Sequence, residues 1–247
     1  MNSVKNIRPL LTLSNAKTSK GEKLGYITGV TYLIPADGAG GPNICAFSGA
    51  AGCVIPCLVS AGRGAMSNVY EGRLRRTHLF HHQRDLFIQA VVRDIKRLVA
   101  KARRENMTPL VRLNGTSDIR WEKFPVVVDG LHYQHIFDAF PDVQFYDYTK
   151  NPYRYSAYGK EWPKNYDLTF GYSGRPEFRK YVDVALEQGM RMAVVFRHRD
   201  KIPTTFMGMP VVDGDDTDVR HIEPQGVVVA LYAKGKAKKD FSGFVVD

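Results

Sequence analysis

Asp167-Leu-Thr-Phe-Gly-Tyr172, then Arg175 to Gln188, then Gly189 and Arg191-Met-Ala-Val-Val-Phe196, form the stretch that decides the fold class. The two outer segments are short runs of apolar, β-branched and aromatic residues, the composition of strands. The segment between them reads as a helix. Pro176 sits near its first turn, where a missing N–H costs nothing, and Gly189 supplies its stop. A strand, a helix and a second strand in this order form a βαβ unit, whose strands run parallel.

The same alternation extends in both directions. Upstream, Pro109-Leu-Val-Arg-Leu-Asn114 and Val143-Gln-Phe-Tyr-Asp-Tyr148 read as strands, with a short helix expected over Asp129 to Phe140. Downstream come a short strand, Met209-Pro-Val-Val212, and a long apolar one, Gly226 to Tyr232. Leu24 to Ile34 is the first strand. From Ser67 to Asn106 apolar residues recur every third or fourth position, which predicts helix with a break near His81 or His82. The pattern predicts an α/β fold, a complete or partial (βα) TIM-like barrel. A doubly wound sheet is the alternative, but no Gly-x-Gly-x-x-Gly follows a strand. Residues 1–22 read as an irregular lead-in and residues 23–247 as a single domain.

Composition narrows the setting. With 44% hydrophobic residues in 247, the chain can bury a sizeable core without disulfides. No apolar run approaches the length of about 18 residues that a membrane helix needs, and the short apolar patch near Met1 is no signal peptide. A cytoplasmic protein with no membrane partner is expected. The net charge of +10 points to an anionic partner, a small ligand or nucleic acid. Between Glu71 and Glu105 ten Lys or Arg face four Asp or Glu, either a solvated helix face or a nucleic-acid surface.

All three cysteines lie between Cys45 and Cys57, in a loop rich in Gly and Pro just after the first strand. Packing explains one or two scattered cysteines, but poorly a total confined to one loop. A disulfide framework would want an even count and a secreted chain. Three thiolates suit a metal centre with one open position, and an iron–sulfur cluster fits best. A [4Fe–4S] cluster on Cys45, Cys53 and Cys57 is therefore expected. The alternative is a zinc ion whose fourth ligand is a distant His or Asp.

In a barrel, chemistry gathers at the carboxyl ends of the strands. Those ends supply Arg112, Asn114, Asp118, Asp147, Lys150, Tyr172 and Arg197 as candidate ligand-binding residues. Arg112 and Asp147 stand inside otherwise apolar strands. A charge there is costly unless it is paired or faces a wet cavity.

The cysteine loop, the arginine-rich helix after it, Val111-Arg-Leu-Asn-Gly-Thr-Ser-Asp118 and Phe145-Tyr-Asp-Tyr-Thr-Lys150 together resemble a phage-encoded family called gene product 88. The resemblance runs from about residue 24 to the C-terminus and implies a bacteriophage protein. Many members carry further cysteines near the C-terminus; this chain has none there, so the resemblance implies a single metal site. More distantly, the order of strand, cysteine loop, helix and alternating strands is similar to radical S-adenosylmethionine enzymes. That similarity implies a radical-enzyme-like core with S-adenosylmethionine on the open iron. The spacing departs from theirs: seven and then three residues separate the cysteines here, in place of three and then two. Asn114-Gly-Thr also stands where those enzymes carry a Gly-Gly-Glu motif.

Overall fold

The structure is a computed structural model and describes residues 3–13 and 18–247. In chain order the strands are β1 (Leu11–Thr12), β2 (Tyr26–Thr31), β3 (Thr108–Arg112), β4 (Val126–Val128), β5 (Leu131–Tyr133), β6 (Gln144–Thr149), β7 (Tyr166–Gly171), β8 (Met192–Phe196), β9 (Thr205–Phe206), β10 (Met209–Asp213) and β11 (Val228–Tyr232). The helices are α1 (Thr18–Glu22), α2 (Ser48–Ala51), α3 (Ser67–His82), α4 (Arg84–Glu105), α5 (Ile136–Ala139), α6 (Tyr153–Tyr158) and α7 (Arg179–Glu187). Among the described residues nine strands make one sheet, in the order β1-β2-β3-β6-β7-β8-β11-β10-β9. Every pairing from β2 through to β10 is parallel; β1 and β9 add antiparallel edges. The fold is thus mixed α/β with a large, mostly parallel sheet. From β2 to β8 the sheet follows chain order; β11 then enters between β8 and β10, so the order steps back at that end.

The predicted break in the long helix falls at Gln83, whose φ of −143° and ψ of 58° end one helix and start the next. The α4 helix buries one stripe, including Phe87, Val91, Ile95 and Leu98, against the sheet. Each fully buried side chain of this kind contributes about 1.5–3 kcal/mol of transfer free energy. Two expectations are corrected. The expected helix over Asp129 to Phe140 is helical only as α5. Asp129 and Gly130 both take positive φ (52° and 81°) and turn β4 back onto β5. An Asp-Gly pair with that geometry is the hairpin turn that matches strand twist. The lead-in is also partly regular. Leu10 and Leu11 are buried, and their N–H groups donate to the buried carboxylate of Asp94, at 2.5 and 3.3 Å. That pins β1 to the sheet edge. Residues 1–2 and 14–17 of the lead-in lie outside the described residues.

The two faces of the sheet differ in kind. Val111, Phe145, Leu168, Phe170, Met192 and Val194 belong to the main apolar core under the helices. Strand alternation sends their neighbours to the other face. There Leu110 and Tyr146 pack on Val219, and charge is abundant. Arg112 pairs with Asp218 at 3.1 Å and lies 4.6 Å over the Tyr148 ring. Arg191, fully buried, pairs with Asp167 and donates to Thr169 Oγ1 at 2.9 Å. Asp218, Val219 and the turn Arg220–Ile222 come from the chain between β10 and β11, which covers this face. Arg220, also fully buried, pairs with Glu223 at 2.5 Å and donates to Gly214 O at 2.9 Å.

His221 sits in this covering segment, edge-on to Tyr26 at 5.4 Å, with Nδ1 buried and unpartnered. Burial, and then the charge of Arg191, push its pKa down to about 4. The unfolded chain, with a His pKa near 6.5, therefore binds the extra proton more readily than the folded one between those values. Stability contributed here is intact above pH 6.5 and falls as pH drops towards 4. His221→Phe should flatten the acid side of the stability profile, read as urea midpoints from pH 7.5 to 4.5. A variant profile parallel to that of the parent would contradict this.

Candidate functional site

The cysteine loop is fastened at both ends. Ile44 N–H donates to Ala36 O at 3.1 Å, and Asp118 N–H donates to Ile44 O at 2.9 Å. Cys45 Sγ accepts from Ala36 N–H at 3.4 Å. The seven residues between Cys45 and Cys53 are a folded unit, because they contain α2. Ser173 Oγ, beyond the end of β7, donates to Ala51 O at 2.8 Å, and Phe47 meets Tyr181 of α7 edge-on at 5.0 Å. Gly52 closes α2 with φ of 64°, and a Cβ there would stand 2.5 Å from the Arg175 guanidinium. Glycine adopts that left-handed conformation without strain. Past Cys57, Ser60 N–H and Oγ both bond back to Cys57 O, at 3.0 and 2.9 Å.

The three thiols are free and part-buried. Burial pushes the Cys45 thiol up to about 12, and the carboxylate of Asp118 and the other two sulfurs add to the rise. Burial also raises Cys53, opposed by the charge of Lys150, and raises Cys57, opposed in part by Arg73. Neutral thiols of this kind are poor nucleophiles at physiological pH. A metal that displaces their protons changes that balance. Among the described residues, no three His, Cys, Asp or Glu side chains are grouped around one ion position.

Asp118 is the hub beside the thiols. Its carboxylate accepts from Thr149 Oγ1 (3.1 Å), Lys150 N–H (2.8 Å) and Arg154 Nη1 (3.3 Å). Burial raises its pKa, and Arg154 opposes the rise. Lys150 Nζ donates to Gly171 O and Tyr172 O at the end of β7, at 2.6 and 2.8 Å. Burial lowers the Lys150 pKa to about 8 against the charges of Cys53 and Asp118.

A cleft of about 1570 Å³ opens beside Leu58, the residue after Cys57. Its walls are α3, the 3₁₀ turn Gly62–Ala65, residues 6–12, and the chain after β11. Arg73, Arg75 and Arg76 line it from α3, joined by Arg8, Arg63, Lys234 and Lys238. No Asp or Glu is among its described lining residues.

A family model for gene product 88 matches residues 9–247. The chain belongs to the gene product 88 family. No curated protein and no solved structure matches it, so the likeness to radical S-adenosylmethionine enzymes gains no support there.

In this member of the family, the seven candidate ligand-binding residues separate into groups. Asp118 and Lys150 stand at the thiols. Asn114 and Asp147 are neighbours that shape the turn after β3. Asp147 Oδ1 accepts from Asn114 N–H at 2.8 Å, and Asn114 Oδ1 accepts from Ser117 Oγ (2.8 Å), Ile119 N–H (2.9 Å) and Trp121 Nε1 (3.3 Å). Burial lifts the Asp147 pKa to about 7, although Arg112 and the Asn114 N–H favour the carboxylate. Arg112 lies on the other face of the sheet, against Asp218. Tyr172 is edge-on to Phe206 at 5.3 Å. Arg197 holds the C-terminal segment, pairing with Asp247 and donating to Lys238 O (3.1 Å) and Asp240 O (2.7 Å).

Sequence reasoning missed Glu122 and the cleft. Arg154, with no exposed surface, makes a two-pronged pair with Glu122 (3.0 and 2.5 Å) and also bonds Tyr166 Oη at 2.9 Å. Nothing local marks Glu122 as buried. The cleft draws cations from three distant segments, which no single window reveals. Arg154→Met removes the two-pronged partner of Glu122, leaving it the longer contact to Arg120 at 3.5 Å, and removes one of three donors to the buried Asp118. It should cost about 3–5 kcal/mol, measured by urea denaturation, and adding Glu122→Gln should recover part of the loss. A single variant within 1 kcal/mol of the parent, roughly the level of an exposed pair, would refute the pairing.

Proposed function

We propose that the chain is an iron–sulfur protein, with Cys45, Cys53 and Cys57 holding a [4Fe–4S] cluster with one open iron, and that the adjoining basic cleft receives an anionic ligand. The observation that carries this is three free, part-buried thiols in one loop: Cys53 and Cys57 are near enough to raise the Cys45 pKa and Cys53 that of Cys57, while Lys150 and Arg73 oppose the rise at Cys53 and Cys57. Thiolates are the usual ligands of such clusters. When bound, the cluster supplies a Lewis-acidic or redox-active iron. The chain's own residues orient what reaches it. Lys150 is anchored to two carbonyls and stays beside Cys53, while Arg73 stands between Cys57 and the cleft.

The parallel strands β2, β3, β6, β7 and β8 lie in chain order, which is what supports a partial (βα) barrel. In such a barrel the cysteines would sit at the carboxyl-end mouth, where these folds keep their chemistry. S-adenosylmethionine on the open iron is the narrower form of the reading, and a cluster-dependent enzyme in the host cytoplasm is its setting. Three unpaired thiols suit such a reducing compartment. A single zinc ion is the rival. It needs its donors close around one point, and the thiols would have to draw together to provide that. A cluster spreads its thiolates over several irons and asks for less.

Protein purified without oxygen should contain about four irons and four sulfides per chain and absorb visibly near 400 nm, about as thiolate-bound clusters do. Replacing Cys45, Cys53 and Cys57 together by Ala should abolish all three signals while leaving the far-ultraviolet dichroism unchanged. Colourless protein after reconstitution with iron and sulfide would sink the proposal, and stoichiometric zinc would favour its rival. A spectral change on adding S-adenosylmethionine would support the narrower form.

A further inference from the structure

The cleft concentrates positive charge that the fold does not neutralise. Arg8, Arg63, Arg73, Arg75, Arg76 and Lys238 have no carboxylate partner among the described residues; Lys234 pairs with Asp215 at 2.6 Å. Arg73 is only 6% exposed, its Nη1 donates to Gly64 O at 2.9 Å, and its Nε is buried without a partner. Arg76 donates to Tyr32 O at 2.8 Å, and burial followed by repulsion from Arg73 and Arg75 lowers its pKa. Like charges held this close lower one another's stability unless an anion sits among them.

Size and lining say which anion. The volume of about 1570 Å³ exceeds the roughly 300–1,000 Å³ of pockets for small molecules. Tyr32 and Tyr232 line it, as do the apolar side chains of Leu58, Val69 and Leu79. Phosphates alone would need only the cations. Aromatic and apolar surface among cations is what exposed bases use, by stacking. A duplex hides the faces of its bases and is read by elements that protrude into its grooves, whereas this surface is recessed.

We propose that the cleft binds single-stranded nucleic acid, its phosphates on the six unpaired cations and its bases against Tyr32 and Tyr232. This rests on the reading that the cleft receives an anion, and is independent of the cluster. The test uses the full chain and a fluorescent twenty-thymidine strand, followed by anisotropy across salt concentrations. The dependence of log affinity on log salt should have a slope of up to about −4, from about 0.7 for each of the six contacts. The exposed residues Arg63, Arg75 and Lys238 support no other part of the fold. Arg63→Glu, Arg75→Glu and Lys238→Glu together should weaken binding on the order of 100-fold and flatten the slope by about 2. The same change of net charge at Arg97, Arg103 and Lys123, outside the cleft, should weaken it by less than a tenth of that. Equal losses in the two triple variants would overturn the proposal, as would equal affinity for the duplex form or for inorganic polyphosphate. Polyphosphate binding without strand binding would leave the cleft an anion site and remove nucleic acid. If neither bound at low salt, both readings would fall.

Discussion

A guanidinium with no exposed surface must be answered by charge inside the protein, and Arg154 sets that condition for the carboxyl end of the sheet. Glu122 takes two of its N–H groups, Asp118 a third contact, and Tyr166 Oη a fourth. These partners come from different places. Glu122 and Asp118 lie in the loop after β3, Arg154 on α6, and Tyr166 at the start of β7. Satisfying one cation therefore fixes three segments relative to one another. Asp118 passes the constraint on, because its N–H holds Ile44 and its carboxylate holds Thr149 and Lys150. The cysteine loop is placed by a chain of hydrogen bonds that begins at a buried ion pair.

The layout of strands and helices was largely legible, because it rests on local chemistry. Val and Ile runs, Pro176 and Gly189 each act within a few residues. The Asp129-Gly130 hairpin was missed by the expectation of a helix over Asp129 to Phe140, although Asp-Gly is itself a strong turn pair. The candidate site was legible only in part. Three cysteines in thirteen residues stand out in any reading. The partner of Arg112 does not, because Asp218 is 106 residues away and arrives through a covering segment with no periodicity. An embedded charge in a strand signals a partner or a cavity, and sequence alone does not choose between them. For Arg112 the partner is Asp218, and for Asp147 it is the Asn114 turn.

The two faces of the sheet divide the work. The helix side is apolar and supplies most of the core. The other side is charged, with Arg112, Arg191 and Arg220 each paired to an acid. Those cations are spent on the covering segment between β10 and β11. The charge available for ligands lies elsewhere, around the cleft. This separates the net charge of +10 into a neutralised interior and an unneutralised rim. A basic composition by itself could not make that distinction.

Arg73 joins the rim to the cysteines, and the count of charges there has a consequence. With its thiols neutral, the cysteine site and its surroundings hold Arg73, Arg120, Lys150 and Arg154 against Asp118 and Glu122. Arg154 pairs with both Glu122 and Asp118, Arg120 stands 3.5 Å from Glu122, and Lys150 Nζ is held by the carbonyls of Gly171 and Tyr172. Arg73 has no carboxylate partner among the described residues; it is buried, beside Cys57, with its guanidinium 5.9 Å over the Tyr32 ring. A buried cation without an opposite charge is costly, so some negative charge belongs within its reach. Thiolates on a metal centre would supply it from one side, and a phosphate in the cleft from the other. Arg73 therefore lies within reach of both the thiols and the cleft.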